Sequence, residues 1–239
     1  MDMESLEIPG VGTLTRFGAL LVGEWAVVAD LHIGYEYELG RSGTALPDIV
    51  LPGVLEGLRR VKETHGVECL AVAGDFKHSF SKESGAGWRA IDAALEGISS
   101  LFGEVHIIRG NHDNYLLNHI KRRGDTGIVW HEDHMLINGL RVFHGYREAP
   151  PGDGWMVMGH EHPAVVLSDD LAVKGRFRSY MILDGARILV LPSFNTVMPG
   201  VDVGSLLSGD ALSPVLRGAD TDRCRVVAIT DEGLIAPYS

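Results

Sequence analysis

The chain has 239 residues, 45% hydrophobic and 22% charged, with 30 glycines. That length can bury a sizeable core, and the glycine content suits a loop-rich α/β architecture better than a helical bundle. A formal net charge of −11 argues against tight non-specific binding of long duplex nucleic acid, which calls for a basic face. A local basic groove stays open. The short clusters Arg59-Arg60 with Lys62, Lys121-Arg122-Arg123, and Lys174 with Arg176 and Arg178 read as solvated surface.

The opening MDMESLEIPG has neither the basic nor the apolar region of a signal peptide, and no apolar run reaches the roughly 18 residues of a membrane span. A cytoplasmic protein is the expectation. Cys69 and Cys224 lie in apolar runs and read as buried strand residues, not as ligands or a disulfide.

In chain order, Trp25–Ala29 is a short apolar strand running into Asp30. Pro47–His65 carries Leu, Ile and Val at three- and four-residue spacings and is expected to be helical up to Gly66. Val67–Ala73 is a second strand, ending at Gly74-Asp75. A helix over Glu83–Phe102 stops at Gly103. The strand Val105–Ile108 leads into Arg109-Gly110-Asn111-His112-Asp113, with a short helix at Tyr115–Arg123. This βαβαβ order calls for a largely parallel sheet with right-handed crossovers. The second half is β-rich. Met135–Ile137 and Leu140–Phe143 flank Asn138-Gly139, a type I′ hairpin signal. Trp155–Met158, Tyr180–Leu183, Ile188–Leu191, Arg225–Ile229 and Leu234–Ala236 are further strands. The architecture expected is a four-layer αββα sandwich of two mixed sheets, with residues 1–239 forming a single domain.

Five of these strands end in groups that bind metal or handle protons: Asp30 and His32; Asp75; Asn111, His112 and Asp113; His144; and His160 and His162. In open α/β sheets, sites form outside the carboxyl ends of strands, so these groups are expected on one rim. One such residue is weak evidence; five in order are not. Three further residues are expected near substrate with less support: His78, three after Asp75, Arg109, and Asn195 in LPSFN. His65, His106, His119, His131 and His134 read as surface or satisfied core residues.

The series Asp30-Leu31-His32, Gly74-Asp75, Gly110-Asn111-His112-Asp113, His144-Gly145 and Gly159-His160-Glu161-His162 resembles the five-block signature of the calcineurin-like metallophosphoesterases. The wording GDFKH, GNHD and GHEHP is closest to the prokaryotic SbcD-related phosphoesterases. The resemblance implies two divalent ions, with Asp30, His32 and His162 on one, Asn111, His144 and His160 on the other, and Asp75 bridging. It places His112 at the leaving-group oxygen, oriented by Asp113. Mixed imidazole, carboxylate and amide donors favour Mn²⁺, Fe²⁺, Zn²⁺ or Co²⁺ over Ca²⁺, and the resemblance points to Mn²⁺. Two such ions about 3.5–4 Å apart acidify a bridging water and present it as hydroxide to phosphorus.

The function expected is therefore a metal-dependent phosphodiesterase acting on nucleic acid or nucleotides. A phosphomonoesterase with the same dinuclear site is the alternative enzyme. From another class, the chain is a metal-stabilised binding or assembly module, which has no need of a proton donor at His112. SbcD-type nucleases carry further sequence after the catalytic domain, whereas 77 residues follow His162 here. That departure favours a small phosphodiesterase over a processive duplex-end nuclease. No membrane partner is expected. A DNA-repair helicase or ligase, and a second copy of the chain, are the protein partners left open.

Overall fold

The computed structural model describes residues 3–41, 43–44, 47–81, 85–124, 127–168 and 174–238. The first sheet opens with an antiparallel meander, β1 (Ser5–Ile8), β2 (Gly12–Thr15) and β3 (Leu20–Val22), which leads into β4 (Trp25–Val28). A short helix α1 (Tyr35–Arg41) and α2 (Val50–His65) precede β5 (Cys69–Ala73); α3 (Gly85–Leu101) precedes β6 (Glu104–Ile108); α4 (Leu116–Arg123) precedes β7 (Ile128–His131). Strands β4 to β7 are mutually parallel. The expected start of α3 at Glu83 lies outside the described residues. Both α2 and α4 end on a left-handed glycine, Gly66 and Gly124, whose N–H returns to the last turn.

The second sheet begins with β8 (His134–Ile137) and β9 (Leu140–Phe143), joined by Asn138 and Gly139 at φ 48° and 86°. These are the positive angles a type I′ turn needs. It continues with β10 (Met156–Met158), β11 (Pro163–Ser168), β12 (Lys174–Leu183), β13 (Ile188–Val190) and β14 (Val201–Asp202). The one-turn helix α5 (Val203–Ser205), a π-helical turn at Leu206–Asp210 and α6 (Pro214–Arg217) come before β15 (Cys224–Thr230) and β16 (Gly233–Tyr238). The order is β14-β11-β12-β13-β10-β9-β8, with β15 also paired to β12 and β16 to β15. Parallel and antiparallel pairs mix throughout.

Alternation along the strands sorts side chains into three cores. Val27, Ala71, Ile108, Val142, Val157, Ile182 and Leu189 meet between the sheets. Ala26, Val28, Leu70, Val72, Val105 and Ile107 face the other way, against Val54, Leu58, Ile91, Leu95 and Ile98 of α2 and α3. Phe143, Met158, Met181, Leu183 and Val190 point away from the seam, onto Val203, Leu206 and Leu216. The result is the αββα sandwich. Tyr180, fully buried on β12, ties the sheets together by donating to Thr15 O (2.7 Å) and Ala19 O (3.0 Å). Among the described residues no helix is long and apolar enough to cross a membrane. Cys69 and Cys224 are free, each on a strand.

Candidate metal centre

The ends of β4, β5, β6, β9 and β10 meet at one edge of the seam, where the sandwich brings two carboxylate-bearing groups of side chains into metal-ligating proximity, beside a third, all-imidazole group of His32, His78 and His112. One carboxylate-bearing group is Asp30, His32 and His162; the other is Asp75, His144 and His160. Each of these two draws on both sheets. Asn111 Oδ1 lies 2.9 Å from His144 Nε2 and so joins the second. Asp75 Oδ2 sits between the groups, 3.2 Å from His144 Nε2 and 3.8 Å from His32 Nε2.

The backbone is bent to make this cluster. Asp30, His32, Asp75, His160 and His162 have φ between 45° and 75°, and they account for five of the eight non-glycine residues with positive φ among those described. Such angles are costly for residues with a β-carbon and concentrate at functional sites. Two glycines make room. A β-carbon on Gly74 would lie 2.4 Å from the His144 ring, and one on Gly110 would lie 2.1 Å from Asp75 Oδ1.

Each carboxylate is anchored through one oxygen and left open through the other. Asp30 Oδ2 accepts the His160 N–H (3.0 Å), and Asp75 Oδ1 accepts the His112 N–H (2.9 Å). Asp30 Oδ1 is buried without a hydrogen-bond partner, 3.4 Å from His162 Nε2. A buried carboxylate oxygen left in that state is expensive unless positive charge meets it. His144 makes the same demand. Its Nδ1 donates to Ala73 O (3.0 Å), so Nε2 turns its lone pair toward Asn111 Oδ1 and Asp75 Oδ2. Three acceptors converging on one point require a proton or a cation among them. The donor set and the orphaned Asp30 oxygen therefore fit divalent cations.

Electrostatics point the same way. Burial alone would raise Asp30 and Asp75, but the charge of His162 beside the first and of His144 beside the second outweighs it and holds both carboxyls below their ordinary range. Burial also opposes charge on His144, yet Asp75 and Asp30 lift it to about 9. Burial brings His32 down to about 3, and burial with the neighbouring His144 brings His160 to about 4. The two acids thus attract positive charge, and His32 and His160 are held neutral as ligands must be.

His112 and His78 stand beside the cluster. The His112 Nδ1–H donates to His78 O, which leaves Nε2 facing Asp75 Oδ2 at 3.8 Å. The expectation that Asp113 orients His112 is not met. Asp113 accepts from Lys77 N (3.1 Å) and Gly110 N (2.8 Å), bracing the two loops, and His78 O does the orienting. Burial, and after it the charge of Asp75, push Asp113 up to about 7. His78 Nδ1 lies 3.2 Å from His32 Nδ1, and burial lowers His78 to about 4.

Arg109 is not brought to the cluster: its guanidinium pairs with Glu132 and reaches Asn114 Oδ1 at 3.2 Å. Asn195 lies under Asp30, its N–H on Asp30 O (3.4 Å) and its Oδ1 accepting from Val197 N (3.0 Å). It lines no part of the cavity over the site, about 260 Å³ bounded by His32, His78, Phe80, His112, Met198 and Leu206 among others.

Three supporting residues escaped sequence reasoning. Glu161, buried between the two histidines of GHEHP, accepts from Ser213 N (2.6 Å) and Leu212 N (3.3 Å), pinning that loop to the start of α6. Its place between two ligand candidates was the available signal. The Ser193 hydroxyl holds Asp30 O (2.9 Å), and Phe80 lays its ring on His112 with centroids 3.6 Å apart; neither carried a sequence signal. Of the unassigned histidines, His119 pairs with Asp92 and stacks on Trp88, and His106 pairs with His131. His65 departs from expectation, with Nε2 buried and unpartnered.

The fold is an αββα sandwich, and comparison with solved structures finds the same fold. The chain is similar to a nuclease, MPE, of Pseudomonas putida, with a TM-score of 0.64 and 20% identity over 97% of this chain and 98% of that one. It is also similar to YfcE, a phosphoesterase from E. coli, with a TM-score of 0.43 and 16% identity over 90% and 97%. No family model and no curated protein matches the sequence.

Proposed function

We propose that the chain, acting as a single domain, is a metal-dependent phosphodiesterase whose substrates are nucleic acid or nucleotides. The observation that carries this reading is the pair of buried carboxylates, each with one oxygen fixed by a backbone N–H and the other turned to imidazole nitrogens from the opposite sheet. Asp30, His32 and His162 would hold one divalent cation, and Asn111, His144 and His160 the other, with Asp75 shared; Mn²⁺ is the ion proposed. Two such cations acidify a water and neutralise charge on phosphoryl oxygens.

The chain's own residues do the rest. Asp30 and Asp75, anchored through their outer oxygens, keep the donor set from collapsing. His112, clamped at Nδ1 by His78 O, would act as the doubly protonated imidazolium, giving its Nε2 proton to the departing ester oxygen as the P–O bond breaks and being left neutral. Phe80, Met198, Val201, Leu206 and Leu212 give the cavity an apolar wall against which a base or other planar leaving group packs.

The cavity favours a diester over a monoester. Among the described residues its lining includes no Lys or Arg, while Asp75, Glu161 and Asp210 contribute acid. A monoester dianion calls for a guanidinium or ammonium partner beyond the metals; a diester monoanion does not. The test is turnover of bis-p-nitrophenyl phosphate against p-nitrophenyl phosphate by Mn²⁺-loaded protein. The diester should be hydrolysed at least about tenfold faster. Equal rates would refute the diesterase assignment, and no turnover of either would leave the binding-module reading.

A further inference from the structure

A second cavity, of about 580 Å³, lies where the turn after β2, helix α2, strand β12 and the end of β15 meet. Four arginines line it, Arg16, Arg60, Arg176 and Arg178, against two acids, Glu56 and Asp231. In a chain of net charge −11 this is a local reversal of sign.

Arg178 is the distinctive member. Sequence patterning places it with solvated surface, but it is half-buried, and Nη1 donates to Ser193 O (2.7 Å) and Phe194 O (3.3 Å). Among the described residues no carboxylate lies within ion-pair distance of it. Burial presses the guanidinium below its ordinary value, with Tyr180 the only group working against that. Arg176 is likewise without an acidic partner among the described residues, and donates to Gly200 O (2.6 Å). Arg16 and Arg60, in contrast, are matched by Glu4 and Glu56. A guanidinium satisfied on one edge by carbonyls, with its charge uncompensated, is suited to an anion on the other edge.

The rest of the lining narrows the anion. Phe17 and Phe177 are partly exposed in the same cavity, so a charged group on the arginines can carry a planar ring onto an aromatic face. The strip Ser193–Phe194 separates this cavity from the metal centre. Its carbonyls receive Arg178, while the Ser193 hydroxyl and the Phe194 N–H hold Asp30 O (2.9 Å) and Ala29 O (2.8 Å).

We propose that this cavity binds a nucleotide unit, its phosphate on Arg178 and Arg176 and its ring against Phe17 and Phe177. The unit is either a free nucleotide or one residue of a strand whose scissile diester lies at the seam, the second source resting on the phosphodiesterase reading. The experiment measures binding of AMP, by calorimetry, and of a labelled ten-residue oligothymidylate, by anisotropy, to metal-free protein in chelator. Arg178→Gln and the more exposed Arg176→Ala are compared with wild type, the second keeping the test decisive if the first fails to fold. Each loss should weaken the bound probe about tenfold and lower the salt slope by about one. Weakening with AMP identifies a free-nucleotide site, and weakening confined to the oligonucleotide identifies a strand subsite. Binding unchanged in Arg176→Ala for both probes, or no binding of either by wild type, overturns the proposal. Wild-type turnover of bis-p-nitrophenyl phosphate is scored separately: its failure would remove the phosphodiesterase reading without touching AMP binding.

Discussion

The two sheets bring different chemistry to the seam. Strands β4, β5 and β6, parallel and backed by helices, end in the oxygen donors Asp30, Asp75 and Asn111, each followed by an imidazole, His32, His78 and His112. Strands β9 and β10 end in imidazoles, His144, His160 and His162. The two carboxylate-bearing groups, Asp30/His32/His162 and Asp75/His144/His160, each cross the interface, while the all-imidazole group His32/His78/His112 comes from the first sheet alone. The site is thus a property of the packed sandwich: a cation bound there clamps the two sheets, and whatever loosens the sheets weakens the cation.

The sharpest way to break this division is at the oxygen that faces both groups. Asp75→Ala should abolish binding of at least one Mn²⁺ per chain and lower turnover by on the order of 10³, measured by metal analysis and steady-state rates. His112→Ala should lower kcat by about 10²–10⁴ and leave metal stoichiometry unchanged, because neither carboxylate-bearing group includes it. Retained kcat would remove it as proton donor. Gly110→Ala drives a β-carbon into Asp75, so it should cost roughly 1–3 kcal/mol of stability in chemical unfolding and weaken Mn²⁺ binding at once. Tyr180→Phe loosens the sandwich away from the metals. It deletes the hydroxyl bridge to Thr15 and Ala19 and should cost about 1–2 kcal/mol, while binding the same number of ions.

The smallest effect lies outside both sheets, in the Asp92–His119–Arg123 group between α3 and α4. Burial, the largest single influence, opposes ionisation of Asp92, but the hydrogen bonds and charges of His119 and Arg123 together prevail and hold its pKa below the ordinary value. A carboxyl depressed on folding contributes stability above its unfolded pKa of about 3.9, and loses it as pH falls through the folded value. Asp92→Asn should therefore flatten the acid limb of a thermal-stability profile below about pH 4 and leave the metal centre untouched.

Most of what positions the site was legible in the sequence. Apolar runs closed by Asp30, Asp75, Asn111, His144 and His160 mark strand ends, and Asn138-Gly139 marks the hairpin that starts the second sheet. The meander β1–β3 was not legible, because SLEI, GTLT and LLV are too short to show a period and take their conformation from successive pairings, of which only that of β3 reaches β4. Strand β7 was missed for a related reason: IVWH is half exposed at a sheet edge, and its signal is pairing with β6. At the site, the donor residues follow from residue type and strand end, but their support does not. That His78 lends a backbone carbonyl to His112, and that Arg109 goes to Glu132, depends on contacts between loops far apart in sequence. Arg178 shows the same limit: a basic residue in a basic cluster looks solvated until packing reveals that carbonyls, not acids, surround it.

The central claim is that the seam between the sheets is a two-cation centre. Equilibrium dialysis of the wild-type chain against Mn²⁺, followed by metal analysis, tests it most directly. The account predicts two ions per chain, falling to one or none in Asp75→Ala; a wild-type chain that binds no Mn²⁺, or that binds it equally well without Asp75, would contradict it.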